Sequence, residues 1–473
     1  MHAVTPWIAT LALTLLFSAA STTAQRDGSP PRSQPGGDGP ALYHGARLIF
    51  GDERPPLENG ALLVADGRIT AVGRATDVIV PPGARRVALT GKTIVPALVN
   101  VHAHVGYERY RAAAGESRAE HFTPENLHDH LQRQAYYGVG SVLDAGSGAL
   151  PITQPFQAAQ AAGQYPDAAD LHVMGGVVPV NGGPDHILIK GTRPLSANYE
   201  VTLSPEGRAA IRDLHARRVR HVKIWLGDRG GTYPAMPHEV YDAVIDEAHR
   251  AGIKVHAHAT TVRDQKDAIR AGVDLLVHTV QNAPLDDELL ALLKAKRPYW
   301  TTVFGLGDRS EVCDRQPFAL QLLTPAIIND ILATDCGRPV SPAREALLAQ
   351  NFKAMIASGV RLVLGTDAGV WPRYTFGTAD HHELERYVQL GLSPAEAIVA
   401  ATARAAEAIG LTDVGVLRPG YRANFVVLEA NPLDDIRHTR RIDAVYLRGQ
   451  RLDRQAMLTR WTRERTPDRP AAP

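Results

Sequence analysis

The chain has 473 residues, too many for one ordinary domain, although a large α/β barrel can contain most of them. Hydrophobic residues make up 44% and charged residues 21%, which is the composition of a soluble globular protein. The 51 Lys and Arg residues nearly balance the 50 Asp and Glu residues, so the sequence lacks the charge excess typical of proteins that bind nucleic acid or anionic membranes.

The first residues have the pattern of an export signal. An apolar segment, Trp7–Ala20, runs into the small residues Ala19–Ala24, which offer a cleavage site, although no Lys or Arg precedes the segment. We predict a signal peptide over residues 1–24 and an exported protein, periplasmic or secreted, with a membrane anchor as the alternative. Residues 25–40, rich in Pro, Gly, Ser and Arg, are predicted to form a disordered linker.

A small β domain follows, because short apolar stretches alternate with turns, and Asp66-Gly67 is a strong hairpin signal. Strands return in Ala423–Leu428 and Ala444–Leu447, and we expect them to pair with the N-terminal strands. The sequence thus predicts a β-sandwich built from residues 41–95 and 412–455, with residues 456–473 as a C-terminal tail. The N-terminal strand candidates are Ala46–Phe50, Gly60–Val64 and Arg68–Val72.

Residues 96–411 alternate apolar strands with amphipathic helices, which predicts the α/β class and a parallel (β/α)8 TIM-like barrel. The strand candidates are Ile94–His104, Gly140–Asp144, Leu171–Met174, His221–Trp225, Lys254–His258, Leu275–His278 and Leu362–Asp367. The helix candidates are Pro124–Tyr137, Pro205–Arg217, Pro237–Ala251, Asp264–Ala271, Asp286–Lys296, Ala343–Ser358 and a capped helix from Pro394 to about Ile409.

Chemically useful side chains collect at the ends of these strands, where the active sites of such barrels lie. His102 and His104 are two positions apart, so both point to the same side of their strand and can reach one point. The alternative is a pair of histidines that cap the strand and hydrogen-bond locally. Neutral imidazoles with a carboxylate suit zinc and similar ions. The full set is His102, His104, Lys223, His258, His278 and Asp367.

Several motifs together resemble the amidohydrolase superfamily, in the branch of imidazolonepropionase-like and prolidase-like metal hydrolases. They are His102-Ala103-His104, Val222-Lys223-Ile224, Val255–Thr261, Ala271–Asp274 before His278, Gly365–Gly369, Gly391–Ala397 and Gly415–Gly420, and the resemblance covers roughly residues 45–450. Ala97 and Asn100 stand where relatives usually have Gly and Asp, and Asn424 stands where they often have Asp. These departures concern local packing, since none is a ligand.

The resemblance implies a binuclear site with two divalent ions, expected to be zinc. His102, His104 and Asp367 would hold one ion, and His258 and His278 the other. Lys223, carboxylated by carbon dioxide, would bridge the two ions.

The resemblance also implies hydrolysis of an amide-type C–N bond, in a dipeptide, an N-acyl amino acid or a cyclic amide. A bridging hydroxide would attack the carbonyl, and Asp367 would carry the proton to the leaving amine. Carboxylation of Lys223 agrees with electrostatics, because an unmodified ammonium beside two dications would be repelled. The alternative is a lysine that reaches the barrel mouth or pairs with a carboxylate.

Three other histidines are not expected to be ligands. His256 shares a strand and a face with His258, but the family's usual spacing to His278 favours His258, so His256 is expected behind the ligands or in a structural role. His381 and His382 are placed in a loop after the last barrel strand, near the site or on the surface rather than among the ligands.

Substrate contacts are predicted near the strand ends. The loop Asn181–His186 resembles a Gly-Gly-x-x-His loop of the branch, in which His186 would polarise the scissile carbonyl or orient a substrate carboxylate. A solvated loop histidine is the alternative. Tyr107, Arg109 and Trp225 are candidates for the pocket lining, although packing at the barrel mouth explains them equally well.

The sequence excludes some other functions and leaves others open. The chain has no P-loop, nucleotide fingerprint or Gly-x-Ser-x-Gly elbow. A mononuclear deaminase or imidazolonepropionase-like enzyme with free Lys223, and a lactonase or phosphotriesterase at the same site, stay open. A ligand-depleted binding protein is disfavoured, because all six candidate ligands are present.

The expected partner is a small-molecule substrate, with no nucleic acid and no membrane beyond export, and a homo-oligomer is left open. Cys313 and Cys336, the two cysteines, would pair in an oxidising compartment, and two buried free thiols are the alternative.

Overall fold

A computed structural model of the chain describes residues 39–107, 118–182, 198–228, 231–337, 339–369 and 375–463. The predicted signal peptide and all but the end of the predicted linker lie outside these ranges. The strands are β1 Ala41–Leu48, β2 Leu57–Ala65, β3 Arg68–Arg74, β4 Arg85–Ala88, β5 Thr93–Pro96, β6 Leu98–Ala103, β7 Val139–Asp144, β8 Asp170–His172, β9 Gly175–Pro179, β10 Asn198–Val201, β11 His221–Trp225, β12 Lys254–His258, β13 Leu275–Val277, β14 Tyr299–Thr301, β15 Arg361–Leu362, β16 Phe425–Leu428, β17 Ile442–Leu447 and β18 Gln450–Arg451.

The helices lie mainly between the barrel strands. They are α1 Pro124–Tyr136, α2 Leu150–Ala161, α3 Ser204–Ala216, α4 His238–Arg250, α5 Val262–Ala271, α6 Asp287–Lys296, α7 Pro317–Leu320, α8 Pro325–Thr334, α9 Pro342–Ala357, α10 Thr378–Gln389, α11 Pro394–Ala400, α12 Ala403–Ala408 and α13 Arg454–Arg463. None of the helices in the described ranges combines the length and the apolar composition that a membrane span requires.

The β domain joins strands from both ends of the described chain. Its sheet has the order β18-β17-β16-β5-β1-β2-β3, and β4 pairs with β1 beside β5. Asp66 and Gly67, both with positive φ, form the turn of the β2–β3 hairpin, as predicted. Tyr43 of β1 packs edge-on against Phe425 and Tyr446, which stack on each other, so one aromatic core holds both ends together. The predicted β-sandwich from two separate chain segments is confirmed.

The apolar run Ile94–His104 is two strands rather than the one expected from sequence. β5 pairs antiparallel with β16 in the β domain, whereas β6 pairs parallel with β7 in the barrel. The change of sheet occurs at Ala97, whose N–H donates to the carbonyl of Asn424, while the next N–H, of Leu98, donates to Gly138. Both halves of the run are buried, which accounts for its largely apolar composition.

The barrel closes between its first and last strands. Val101 N–H donates to Leu364, and Ala103 bridges to Ala368 in parallel. From β9 to β15 the parallel order is β9-β11-β12-β13-β14-β15, with β10 on the outer side of β9. β8 and β9 together occupy the third barrel position, β8 next to β7 and β9 next to β11. The predicted (β/α)8 barrel is therefore confirmed.

Two helical regions differ from the sequence expectation. The helix expected from Pro394 to Ile409 is interrupted between α11 and α12 by Thr402, whose hydroxyl donates to Ile398 and Gly51 carbonyls. The predicted tail begins inside α13, which is docked on the barrel because the indole of Trp461 donates to Asp129 and lies against Arg133.

A long insertion follows β14 at the C-terminal end of the barrel. It contains two short 3-10 helices followed by the α-helices α7 and α8, and it leads into α9. A disulfide joins Cys313 and Cys336, which decides the choice between paired and free cysteines. The N–H of Ser310 also donates to Asp335, so the same two ends of the insertion are held twice.

Candidate metal centre

The centre is built where β6 meets the segment that follows β15. His102 and His104 project from the end of β6, and Asp367 takes a left-handed backbone conformation with φ of 55°. The N–H groups of Thr366 and Asp367 both donate to the carbonyl of His102, at 2.9 Å each, and His104 N–H donates to Ala368 at 2.7 Å. These bonds fix the three side chains in one place.

The ligand atoms of His102, His104 and Asp367 converge, all within 4.8 Å of one another and all buried. Asp367 Oδ1 lies 2.6 Å from His102 Nε2 and 3.4 Å from His104 Nε2. The shorter contact is not directed as an N–H···O hydrogen bond, so this buried oxygen has no donor within the described ranges. A cation between the three groups would satisfy it.

The protonation of these groups also suits a cation. Burial, reinforced by Lys223, lowers the pKa of His102 to about 4, so its imidazole is neutral at pH 7 and offers a lone pair. Burial alone would raise the pKa of the Asp367 carboxyl, but His102 and His278 hold it well below its usual range. Two imidazoles and one carboxylate form a nitrogen and oxygen donor set of the kind that zinc takes.

Lys223 reaches the same place from β11. Its side chain is buried, and Nζ lies 3.2 Å from His102 Nε2. The glycine loop after β7 packs directly behind it, since a Cβ on Gly146 would lie 2.6 Å from Lys223 Cβ. The amine is thus placed beside a metal-ligand candidate, in a region with little contact with solvent.

His258 and His278 complete the cluster. Their ring centroids lie 4.4 Å apart, and His278 Nε2 lies 3.9 Å from Asp367 Oδ2. The indole of Trp225 stacks flat on His258, at 4.3 Å and an angle of 2°. All six residues predicted from strand ends therefore lie in one connected cluster at the C-terminal end of the barrel.

His256 lies deeper in the barrel than His258. Its Nε2 is 3.1 Å from His221 Nδ1, and His221 Nε2 donates to the Ile409 carbonyl. Because His221 Nε2 carries a proton, the neutral ring accepts at Nδ1, so His256 donates to it. His256 is thus engaged by His221, and its backbone lies opposite Lys223 in the register of β11 and β12.

Ser147 is a residue of the centre that the sequence did not single out. Its hydroxyl lies 2.8 Å from His104 Nδ1, and its carbonyl accepts a hydrogen bond from the hydroxyl of Tyr107. If His104 Nε2 offers its lone pair to an ion, Nδ1 carries the proton and donates a hydrogen bond to the hydroxyl of Ser147. This bond fixes the orientation of the ring. The available signal was the Gly-Ser-Gly sequence directly after a strand that ends in Asp144.

Two of the remaining predicted residues, His381 and His382, do not belong to the cluster. His186 and Arg109 lie outside the described residues. His381 and His382 lie in helix α10 rather than in a loop, and both are largely buried. His381 contacts Thr439 and the Tyr137 carbonyl, and His382 lies between Asp308 and Glu311, so partners elsewhere in the fold engage both rings.

Comparisons with known proteins agree with this geometry. The amidohydrolase family matches residues 93–452 of the chain. The ochratoxinase of Aspergillus niger is 27% identical over 435 residues, which cover 84% of this chain and 82% of the relative. The imidazolonepropionase of Paracoccus denitrificans is 24% identical, covering 84% and 94%.

Among solved structures, a molinate hydrolase superposes with a TM-score of 0.69 at 24% identity, covering 89% of this chain and 96% of its own. That likeness concerns the fold. The family match spans most of the chain and includes all six clustered residues. The chain therefore belongs to the amidohydrolase family, as a metal-dependent hydrolase that acts on carbon–nitrogen bonds.

Proposed function

We propose that this enzyme hydrolyses an amide-type C–N bond in a small molecule, a dipeptide, an N-acyl amino acid or a cyclic amide, at a site for two divalent ions. The observation that carries the proposal is the convergence of His102, His104 and Asp367 next to the His258–His278 pair. The ochratoxinase relative, named as acting on ochratoxin, supports a small-molecule substrate.

The ligand assignment follows the contacts. His102 and His104, through Nε2, and Asp367 would hold one ion, and His258 and His278 the other. Lys223 would be carboxylated and lie between them, which is supported by the position of Nζ, buried and 3.2 Å from His102 Nε2. We expect zinc, because the donors are imidazoles and carboxylates. When bound, the ions supply an activated water at neutral pH and polarise the substrate carbonyl.

The side chains of the chain perform the proton transfers and the positioning. Asp367 accepts the proton of the attacking water on a carboxylate oxygen and delivers it to the departing nitrogen, which leaves poorly as an unprotonated amide anion. Trp225, stacked on His258, restricts that ring and shields it from water. His186 is proposed to polarise the scissile carbonyl or to orient a substrate carboxylate, and Tyr107 to line the pocket.

The first test is the metal content per chain with the intact mass in carbonate buffer. We expect about two metal ions per chain and a labile additional mass on Lys223. Dipeptides and N-acyl amino acids are then screened for hydrolysis. In a metal-replete sample, Asp367→Asn should lower kcat about 10²–10⁴-fold, because the proton carrier is lost.

Asp170→Asn is the matched control for this change. Asp170 is also a buried carboxylate, but it pairs with Arg422 and Arg448 at the boundary with the β domain. The control should retain the rate of the wild type per metal-loaded chain. An Asp367→Asn enzyme with full activity would contradict the proposed mechanism.

A mononuclear deaminase or imidazolonepropionase-like reaction is the second candidate. Two observations favour it. One relative is an imidazolonepropionase, and His102, His104 and Asp367 are the one group within the described ranges whose ligand atoms all lie close together, as a site for a single ion requires. One metal per chain and an unmodified Lys223 would select it, and cyclic amides would then be screened. Hydrolysis of a lactone or phosphotriester needs the same ligands, so those substrates complete the screen.

We also propose that the enzyme is exported. The Cys313–Cys336 disulfide supports this, because disulfides persist in oxidising compartments. The mature protein from its own cells should begin near residue 25. An N-terminal sequence that starts at residue 1 would contradict signal-peptide cleavage and leave the membrane-anchor alternative.

A further inference from the structure

Asn100 lies under the metal centre, completely buried, two residues before His102. Its side-chain oxygen accepts the N–H of His102 at 2.8 Å. Its side-chain nitrogen donates to the hydroxyl of Thr366 at 2.9 Å and to Asp380 Oδ1 at 2.8 Å. The one amide group therefore uses its oxygen and both N–H bonds.

These bonds join the two segments that supply the first three ligand candidates. Asn100 belongs to β6, which carries His102, whereas Thr366 directly precedes Asp367. Thr366 Oγ1 also accepts the N–H of Ala368, at 3.1 Å, across the left-handed residue Asp367. A non-glycine residue in that conformation is strained and persists only where its surroundings hold it.

Asp380 is the outermost member of this group. It lies in α10, is fully buried, and its Oδ2 has no hydrogen-bond partner within the described ranges. Burial raises the pKa of Asp380 to about 7. A carboxyl so poorly solvated lowers stability, so its contact with Asn100 requires an explanation other than stabilisation of the fold.

We propose that Asp380 is a positioning residue for the metal centre. Acting through Asn100, it holds His102 and Asp367 at the separation that an ion requires. The inference rests on the proposed function, because Asp380 can have this role only if His102 and Asp367 bind a metal ion. Asp380 Oδ1 accepts the amide N–H of Asn100. Rotation of the Asn100 amide by a half-turn would oppose its nitrogen to His102 N–H and its oxygen to the carboxyl.

The logic predicts that the pair can be exchanged. Asn100→Asp alone places two carboxyl groups 2.8 Å apart in a buried site, and Asp380→Leu alone removes the acceptor. In Asn100→Asp combined with Asp380→Asn, the new carboxylate accepts from His102 N–H, the Thr366 hydroxyl and the new amide. The contact with His102 N–H is then unchanged, and the contacts with Thr366 and residue 380 are restored with donor and acceptor exchanged.

The test is the zinc affinity of the metal-stripped full-length protein, by competition with a chromophoric chelator, with the visible spectrum of bound Co²⁺ as a second readout. Asn100→Asp and Asp380→Leu should each bind zinc about 10–100-fold more weakly, and the exchange variant should recover to within about threefold of the wild type. Unchanged affinity in either single variant, or an exchange variant as weak as Asn100→Asp, would overturn the proposal.

His381→Asn is the control, since His381 is the next residue of α10 and equally buried, but bonds to Thr439 and the Tyr137 carbonyl. It should lower the melting temperature and leave zinc affinity unchanged. If Asp380→Leu does not fold, the Asn100→Asp and exchange pair decides. A wild type that binds no zinc refutes the proposed function, whereas a wild type that binds zinc as its variants do refutes the positioning role alone.

Discussion

The histidines of this protein show that partners, not residue type, decide the charge of a buried side chain. His381 faces a hydroxyl and a carbonyl, and burial lowers its pKa to about 4. Its neighbour His382 is also largely buried, which opposes its charge, but Asp308 and Glu311 raise its pKa to about 10. The first ring is neutral at pH 7 and the second is a cation, although they are adjacent in sequence.

Glu383 gives a prediction with a definite sign. It accepts hydrogen bonds from Thr302 and Gly305, and burial raises its pKa from 4.5 to about 7. Between these values the folded chain keeps a proton that the unfolded chain has lost, so the stability of the wild type falls as the pH rises. The stability of Glu383→Gln relative to the wild type should increase with pH from about 4.5 to 7, by about 1.4 kcal/mol for each pH unit.

His381→Asn supplies the opposite sign for the same measurement, melting temperature against pH. Between pH 4 and 6.5 the unfolded chain protonates His381 while the folded chain does not, so the wild type loses stability as the pH falls. The relative stability of this variant should therefore rise toward low pH. Parallel curves for the two variants and the wild type would contradict the assignment of both groups.

At this scale the sequence indicated the candidate ligands but not the residues that support them. His102, Lys223 and Asp367 were found because each ends or follows an apolar strand, a position that repeats in the chain. The contacts of Asn100 with Thr366 and Asp380 join positions more than 250 residues apart. No local pattern encodes such a pairing, so only the fold could reveal it.

At the scale of elements, the loop after β7 supports two ligand candidates at once. Ser147 contacts His104, and Gly146 lies against Lys223. Gly146 has φ of 84°, and a Cβ there would lie 2.6 Å from Lys223 Cβ and 3.2 Å from the Gly175 carbonyl. The absence of a side chain at this position is thus what allows the lysine and the loop to approach.

The prediction is that Gly146→Ala weakens metal binding. Gly163→Ala is the matched control, because Gly163 has a nearly equal φ of 86° and open space around its Cβ position. Both variants should lose about 1–2 kcal/mol of stability through the left-handed conformation, but only Gly146→Ala should lower the zinc content per chain after dialysis. Equal zinc contents in the two variants would show that the loop does not support Lys223.

Elements were predicted best where a strand is a sharply bounded apolar run. β11 and β12 have the bounds expected from sequence, His221–Trp225 and Lys254–His258. β10 and β14 were missed, because β10 has only four residues and β14 only three. These strands are ordered by their neighbours rather than by their own composition.

At the scale of the whole molecule, the disulfide should contribute stability without contributing to the site. It closes a loop between residues 23 positions apart, for which chain entropy predicts about 3 kcal/mol. The double variant Cys313→Ser with Cys336→Ser should melt at a lower temperature than the oxidised wild type, with the same zinc content. Reductant should lower the melting temperature of the wild type and not that of the variant. A reductant-insensitive wild type would show that the bond is absent in solution.

The pairing of β5 has a consequence for synthesis of the chain. β5 is bonded on one edge by β1 and on the other by β16, which the ribosome makes only after the entire barrel. Throughout translation of the barrel, β5 therefore presents an open edge that can pair with the same edge of a neighbouring nascent chain on a polysome. The sheet can close only when translation is almost complete, so a stalled or truncated product would leave this strand edge open to pairing with another chain.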